Sequence, residues 1–325
     1  MKAEILALLR SSQGYVSGQE LCERFGVSRA AVWKAVNQLK KEGYEIEAVQ
    51  NRGYKLAGGA VFGQNDLESR IHTKWAGAHL SYQEETTSTN ALAKVAGEGG
   101  APHGSLYVAD MQTAGRGRRG RAWTSPPGTN VYYSIMLRPS FAPDRASMLT
   151  LVMARSVACA IEKTTGLRTG IKWPNDIVIN GKKVCGILTE MSAEQDYIHY
   201  VVIGVGINVG LQEFPRELLD KATSLQAESG ENVSRGELIQ HCMECFEEDY
   251  ECFAQAGDLS GLLDSYNQML LNRDREVRVL DPRGEYTGTA RGINERGELL
   301  VKLADGTVAK VYAGEVSVRG LYSYV

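Results

Sequence analysis

The sequence predicts a three-part α+β chain: an amino-terminal helical module with a β-hairpin, a central α/β domain and a small carboxy-terminal β-barrel. Three observations carry this. Helical spacing and capping signals precede an alternating hairpin before residue 57, the middle alternates strand-like and helix-like segments across glycine-rich turns, and the chain beyond Glu276 is a series of short strand-like runs. At 325 residues the chain is long for one core. Boundaries are expected near Ala60, after Gly58-Gly59, and at Arg273, giving domains 1–60, 61–273 and 274–325.

In the first module, Ile5, Leu8 and Leu9 mark a helix, and Ser17 followed by Glu20 forms a capping box for a second that ends near Phe25-Gly26. Ser28 caps a third, whose inward stripe is Val32, Val36 and Leu39. Two helices joined by a short turn, followed by the hairpin Tyr44–Val49 and Tyr54–Leu56 around Asn51-Arg52-Gly53, resemble a winged helix-turn-helix. The pattern also suits a module that never meets DNA. If DNA is the partner, Ser28, Arg29, Trp33, Lys34 and Asn37 are candidates for base or phosphate contacts, with Arg52 on the wing touching backbone.

Four islands stand out in the central domain. Thr86-Thr87-Ser88-Thr89-Asn90 precedes the helix-like Ala91–Ala96, placing hydroxyls at a helix N-terminus that favours polar or anionic groups, or simply caps itself. The strand Tyr107–Gln112 feeds Gly115-Arg116-Gly117-Arg118-Arg119-Gly120-Arg121, four arginines among three glycines. Glycines let a backbone approach a ligand, and guanidinium forks match phosphate or carboxylate oxygens. This run also satisfies G-x-G-x-x-G, but Ala122-Trp123-Thr124-Ser125-Pro126-Pro127 cannot open the helix a dinucleotide fingerprint needs. A solvated basic loop is the plain alternative.

The third island, Lys172-Trp173-Pro174-Asn175-Asp176, runs into a hairpin with Asn180-Gly181 at its tip. A regular register from that tip sets Val178 opposite Lys183 and Asp176 opposite Cys185, so Asp176 and Lys183 share a face and Lys182 points away. Lys183 is therefore the better phosphate ligand of the two, with Asp176 orienting it or helping to hold a metal; a surface salt bridge is the competing reading. In the fourth island, Val201–Asn208, residues Gly204, Gly206 and Asn208 face one way, leaving room for a ligand or for a packed helix.

Ser88-Thr89-Asn90, Gln112 with Gly115–Gly120, Lys172–Asp176, Gly181–Leu188 and Gly204–Asn208 together resemble, in order and spacing, the biotin protein ligases, and the similarity spans the chain. With its amino-terminal module, the sequence resembles the bifunctional members that also repress biotin synthesis genes. The resemblance implies a class II aminoacyl-tRNA-synthetase-like catalytic domain and an SH3-like carboxy-terminal barrel. It implies a biotin--[acetyl-CoA-carboxylase] ligase that makes biotinyl-5′-AMP and pyrophosphate from biotin and ATP, then transfers biotin to a lysine of the biotin carboxyl carrier protein.

By that likeness Ser88, Thr89 and Gln112 hydrogen-bond the biotin head, with Gly115, Arg116 and Gly117 closing over it and Gly186, Leu188 and Gly204 lining ring and tail. Arg118 and Lys183 act on the carboxylate and α-phosphate as the catalytic cations, while Arg121, Asn175, Asp176 and Asn208 serve ATP and Mg²⁺. Operator DNA and a ligand-promoted homodimer follow from the same resemblance. A DNA-binding sensor without catalysis and a lipoate-type ligase remain the alternatives. Some relatives set a tryptophan against the adenine; Val209–Leu225 here contains none, so no residue is assigned to that contact.

Beyond Glu276, five strands are expected at Val277–Leu280, Tyr286–Ile293, Leu299–Leu303, Val308–Tyr312 and Val316–Arg319, with turns at Asp281-Pro282-Arg283-Gly284, Glu295–Gly297 and Asp305–Thr307. The net charge of −3 leaves only local surfaces for nucleic acid. No segment is apolar and long enough to span a bilayer and no signal peptide opens the chain, so the cytoplasm is expected. The six cysteines are too few and scattered for a disulfide framework, and the C-x-x-C at Cys242 and Cys245 falls on the core face of a helix with Leu238, Phe246, Asp249 and Phe253.

Overall fold

The computed structural model describes residues 1–59, 61–210, 214–281, 284–313 and 317–320. The expected boundary residue Ala60, Pro282 and Arg283 of one turn, Val316, and residues 211–213 of the stretch lacking tryptophan lie outside the described residues. The chain divides into two compact units, Met1–His72 and Thr73–Val325.

The first unit contains α1 (Lys2–Ser11), α2 (Gly18–Phe25), α3 (Arg29–Lys41), β1 (Glu45–Val49), β2 (Gly53–Gly58) and α4 (Gln64–Glu68). The expected caps form: Ser17 Oγ accepts from the Glu20 amide at 3.0 Å, and Ser28 Oγ from the Ala31 amide at 3.3 Å. Gly26, at φ 63°, ends α2 in the left-handed region that a side chain disfavours. Ile5, Leu9, Leu21, Val32, Val36 and Leu39 make the core. The unit extends past the hairpin because buried Asp66 of α4 takes Arg10 at 2.5 Å and Arg70 at 3.0 Å. Val16 exchanges two 2.8 Å backbone bonds with Tyr54, adding a third short edge to the wing.

In the second unit, β3 (Leu80–Thr86), α5 (Thr89–Glu98), β4 (Ser105–Gln112), β5 (Val131–Leu137), α6 (Met148–Thr165), β6 (Gly170–Lys172), β7 (Asp176–Ile179), β8 (Lys182–Ala193) and β9 (Ile198–Ile207) are followed by α7 (Leu225–Ser229), α8 (Arg235–Ala256) and α9 (Leu263–Met269). The strands form one seven-stranded sheet in the order β3-β4-β5-β9-β8-β7-β6, with only β3 and β4 parallel. Helices α6 and α8 cover one face, where Tyr133 donates to Met153 Sδ at 3.6 Å. Helix α5 covers part of the other, over Met136 and Val202.

The C-x-x-C lies on α8 as expected. Cys242 is fully buried, burial pushes its thiol far above the usual range and that of Cys245 up to about 12, and neither forms a disulfide. Thiols held protonated are poor nucleophiles and ligands. Among the described residues no cluster of three potential metal ligands occurs and no helix is long and apolar enough to cross a membrane.

The last five strands, β10 (Glu276–Leu280), β11 (Tyr286–Ile293), β12 (Leu299–Lys302), β13 (Val308–Val311) and β14 (Ser317–Gly320), pair antiparallel in the order β13-β12-β11-β10-β14. Among the described residues no ladder joins β13 to β14, so hydrogen bonding leaves the expected barrel open at that seam. The turn between β11 and β12 is bonded to the central domain: Trp173 Nε1 donates to the Gly297 carbonyl at 3.2 Å and the Leu259 amide to that of Glu295 at 2.8 Å.

Gly53 sits at φ 109°, and a Cβ there would lie 2.0 Å from the Val16 carbonyl oxygen. Gly53→Ala is expected to cost at least ~2 kcal/mol, read as lost amide-exchange protection in residues 1–58 while protection within Thr73–Val325 is retained.

Candidate functional site

The site begins with missing side chains. Gly186 of β8 pairs directly with Gly206 of β9, and Gly204 lies between Leu188 and Ser134 of its two neighbours. The face away from α6 and α8 therefore carries a bare strip, and above it opens a cavity of about 1040 Å³. Two residues of strand advance ~6.6 Å, so Gly204 and Gly206 mark successive stations along β9, with Asn208 just past its end.

At the Gly204 station the lining is neutral and hydrogen-bonded. Gln112 Oε1 accepts from the Thr89 amide at 2.9 Å, so a glutamine from β4, rather than the Ser88 hydroxyl, caps the N-terminus of α5. Its Nε2 donates to Ser125 Oγ at 2.9 Å. Ser134 Oγ lies 2.8 Å from Thr89 Oγ1 and 2.6 Å from Asn90 Oδ1, and Asn90 Nδ2 donates to Glu190 at 2.7 Å. A Cβ on Gly204 would stand 2.0 Å from Asn90 Oδ1. This glycine thus accommodates the helix, which was one of its two expected uses.

The Gly186–Gly206 station is cationic. Asn180 and Gly181 take positive φ at the hairpin tip and Val178 pairs with Lys183 as expected. Asp176, however, pairs with Gly186 and not with Cys185, because the register shifts by one residue around Val184. Such a bulge frees backbone groups: the Lys183 amide and carbonyl bind Lys221 and Thr223, and the Val184 carbonyl accepts from Asn208 at 2.8 Å. The shared face survives, with Lys183 Nζ 2.6 Å from Asp176 Oδ1, whereas Lys182 donates to the Leu219 carbonyl.

The arginine loop closes on itself. Gly117 N donates to Arg121 O at 2.7 Å and Trp123 N to Gly115 O at 2.9 Å, around a turn where Arg119 has φ 58° and Gly120 φ 70°. The run contains only a three-residue 3₁₀ turn, Arg118–Gly120, and no helix opens after it, so the dinucleotide fingerprint is absent in three dimensions as well. Arg118 donates to Asn175 Oδ1 at 3.0 Å and to the Ala313 carbonyl at 2.7 Å, which brings the carboxy-terminal sheet to the cavity, where Val318 also lines the wall. Burial lowers the pKa of its guanidinium, opposed by Asp176. A partly desolvated cation gains most from a bound anion.

Of the residues singled out in sequence, Ser88, Thr89, Gln112, Arg116, Gly117 and Arg118 line the cavity, as do Arg121, Asn175, Asp176 and Lys183. Gly186, Leu188, Gly204 and Asn208 complete that set. Gly115 does not line it: a Cβ there would lie 2.5 Å from the Trp123 carbonyl, so it serves close backbone packing. Asn208 donates its amide to the Thr223 carbonyl at 3.1 Å. In the first unit Trp33 and Lys34 are exposed and Asn37 half-buried, Arg29 donates to Gln19 at 3.0 Å, and Arg52 stacks 4.5 Å above the Tyr15 ring.

Three lining features escaped sequence reasoning. Trp123 lies over the glycine strip, its ring 5.3 Å from Lys183 Nζ and its buried Nε1 without a hydrogen-bond acceptor among the described residues. Gly186 and Gly206 on facing strands were the available signal, since such a gap calls for a large ring. Asn90, at the end of the hydroxyl-rich segment, has no spacing signal that marks its role. Phe214, Pro215 and Leu218 form an apolar wall in the stretch that lacks tryptophan, and no periodicity marked them.

Residues 80–208 match the Biotin/lipoate A/B protein ligase family, 2–55 an HTH domain and 274–319 the Biotin protein ligase C terminal domain. The chain is 42% identical over 307 residues, 93% of each chain, to the Bifunctional ligase/repressor BirA of Bacillus spizizenii. The chain belongs to the biotin protein ligase family. It is also 30% identical over 324 residues to the Escherichia coli Bifunctional ligase/repressor BirA, covering 97% of this chain and 96% of that one. Among solved biotin protein ligases, that of Aquifex aeolicus in complex with biotin and ATP superposes with a TM-score of 0.67 at 32% identity, over 75% of this chain and 99% of its own.

A Cβ on Gly206 would stand 2.5 Å from Trp123 Nε1. Gly206→Ala is expected to cost ~1–3 kcal/mol by overpacking and to expose the indole, seen as a red shift in tryptophan emission. Unchanged stability and emission would mean that the ring has room to spare.

Proposed function

We propose that this chain is an ATP-dependent biotin protein ligase, acting in the cytoplasm, that forms biotinyl-5′-AMP and passes biotin to a lysine of the biotin carboxyl carrier protein. With the adenylate bound, it represses biotin genes through its amino-terminal module. The observation that carries the reading is the order of groups in one cleft: neutral donors and acceptors at Thr89 and Gln112, a side-chain-free strip, then Arg118, Lys183 and Asn175.

That order matches the substrate's chemistry. A neutral ureido ring is recognised by paired donors and acceptors, so Ser88, Thr89 and Gln112 hold the biotin head, and Gly115, Arg116 and Gly117 shape the loop over it. Gly186, Leu188 and Gly204 pass the tail. The carboxylate oxygen then attacks the α-phosphorus of ATP and pyrophosphate leaves. Two anions meet in this step, and Arg118 and Lys183 neutralise the charge that accumulates. Positioning along the strip supplies the near-attack geometry. Arg121, Asn175 and Asn208 hold the nucleotide, with Phe214, Pro215 and Leu218 as the apolar wall for the base and the Trp123 indole N–H offered to the adenylate.

The residues fit a nucleotide-borne Mg²⁺. Asp176 and Asp220 both line the cavity, and one or two carboxylates beside phosphate oxygens is the set this ion usually takes. When bound it would screen the phosphates. In the second half-reaction the carrier lysine's amine attacks the acyl carbon of the mixed anhydride, AMP leaves and a proton is lost. The arginine loop folds over the adenylate to shelter it from water, and the adenylate promotes a dimer whose paired α3 helices fit an inverted repeat.

Biotin with ATP is expected to release pyrophosphate and label a carrier domain, and lipoate with ATP to do neither. Arg118→Ala or Lys183→Ala is expected to slow adenylate formation by roughly 10²–10³-fold. Pyrophosphate release with lipoate alone would redirect the reading to a lipoate-type ligase, and release with neither would leave a sensor.

A further inference from the structure

The exposed face of α3 is unlike that of the other described α-helices, each of which carries an acidic residue. Over 13 residues it carries Arg29, Lys34, Lys40 and Lys41 and no acid, against a net charge of −3 overall. In the middle of that basic face stands Trp33, 63% exposed. Residues three and four apart on a helix are neighbours, so Arg29, Ala30 and Asn37 surround it.

Local packing holds the ring outward. Val32, Ala35, Val36 and Leu39 are all buried on the reverse side of the helix, and the Ser28 cap with the Arg29–Gln19 bond fixes its first turn. A solvated helix face gains nothing from an indole at its centre, whereas a polyanion partner explains the uniform positive charge. Within the major groove of DNA, the apolar group that distinguishes one base pair from another is the thymine methyl. An indole has no charge for phosphate and a single donor, so van der Waals contact is what it does best there.

We infer that Trp33 is the specificity-determining residue of α3, reading thymine methyl groups in the major groove while Arg29 and Lys34 hold flanking phosphates. This rests on the amino-terminal module being the DNA-binding part of the repressor proposed above. Phosphate contacts set affinity and its salt dependence without sequence information; Trp33 supplies sequence discrimination without altering the salt dependence.

The test uses the full chain with biotin and ATP to enrich duplexes from a randomised pool. Binding is then compared across salt concentrations for the enriched duplex and for the same duplex with deoxyuridine in place of thymidine. Losing a buried methyl is expected to weaken wild-type binding about fourfold per contacted thymine. Trp33→Ala is expected to bind both duplexes equally weakly with the wild-type salt slope. Lys34→Ala is expected to keep the thymine preference while its slope falls by about 0.9. An undiminished thymine preference in Trp33→Ala would overturn the inference, as would a loss of affinity that tracks a loss of dimer mass, which would place the ring in a protein contact. No enrichment by the wild-type chain would instead remove the DNA-binding reading itself, and this inference with it.

Discussion

The cleft depends on the bare strip formed by Gly186, Gly204 and Gly206 on the open face of the seven-stranded sheet. Three side chains lie over the room those residues leave: Asn90 above Gly204, Trp123 above Gly186 and Gly206, and Lys183 beside Gly186. Side chains on both strands would fill the surface from which the cavity rises. The strip sits on buried strands, because β5 is wholly buried and β9 nearly so, with α5 packed against both and α6 against β9. A floor of this kind can hold two ligands in line at little cost in reorganisation.

The cations are arranged from separate parts of the chain onto that floor. Lys183 comes from a hairpin whose bulge turns its backbone toward residues 221–223, and Arg118 comes from a loop held by Asn175 and by the Ala313 carbonyl of the carboxy-terminal sheet. The last domain therefore contributes to the site through a backbone oxygen, which no side-chain pattern announces. Asp176 keeps Lys183 paired at 2.6 Å, so an arriving phosphate competes for a cation already placed.

Much of this was legible in the sequence because local chemistry agreed with the fold. The caps at Ser17 and Ser28, the left-handed Gly26 and the Asn180-Gly181 turn are short-range signals, and each formed where its residues required. The strand period correctly set Gly204, Gly206 and Asn208 along one line. It failed at Asp176, since a bulge adds one residue without a composition cue and moved its partner from Cys185 to Gly186. Tertiary effects were likewise silent: Gln112 capping α5, Gly115 serving the backbone around Trp123, and Trp123 itself over the strip all depend on which strands meet.

A structure of the chain with biotinyl-5′-AMP bound decides whether the glycine strip sets the two substrates in line. The ureido ring is expected beside Thr89 and Gln112, the tail along Gly204 and Gly186 next to Asn90 and Trp123, and the phosphate between Arg118 and Lys183. An adenylate lying in the opposite direction along β9, or bound away from the glycine strip, would contradict this placement.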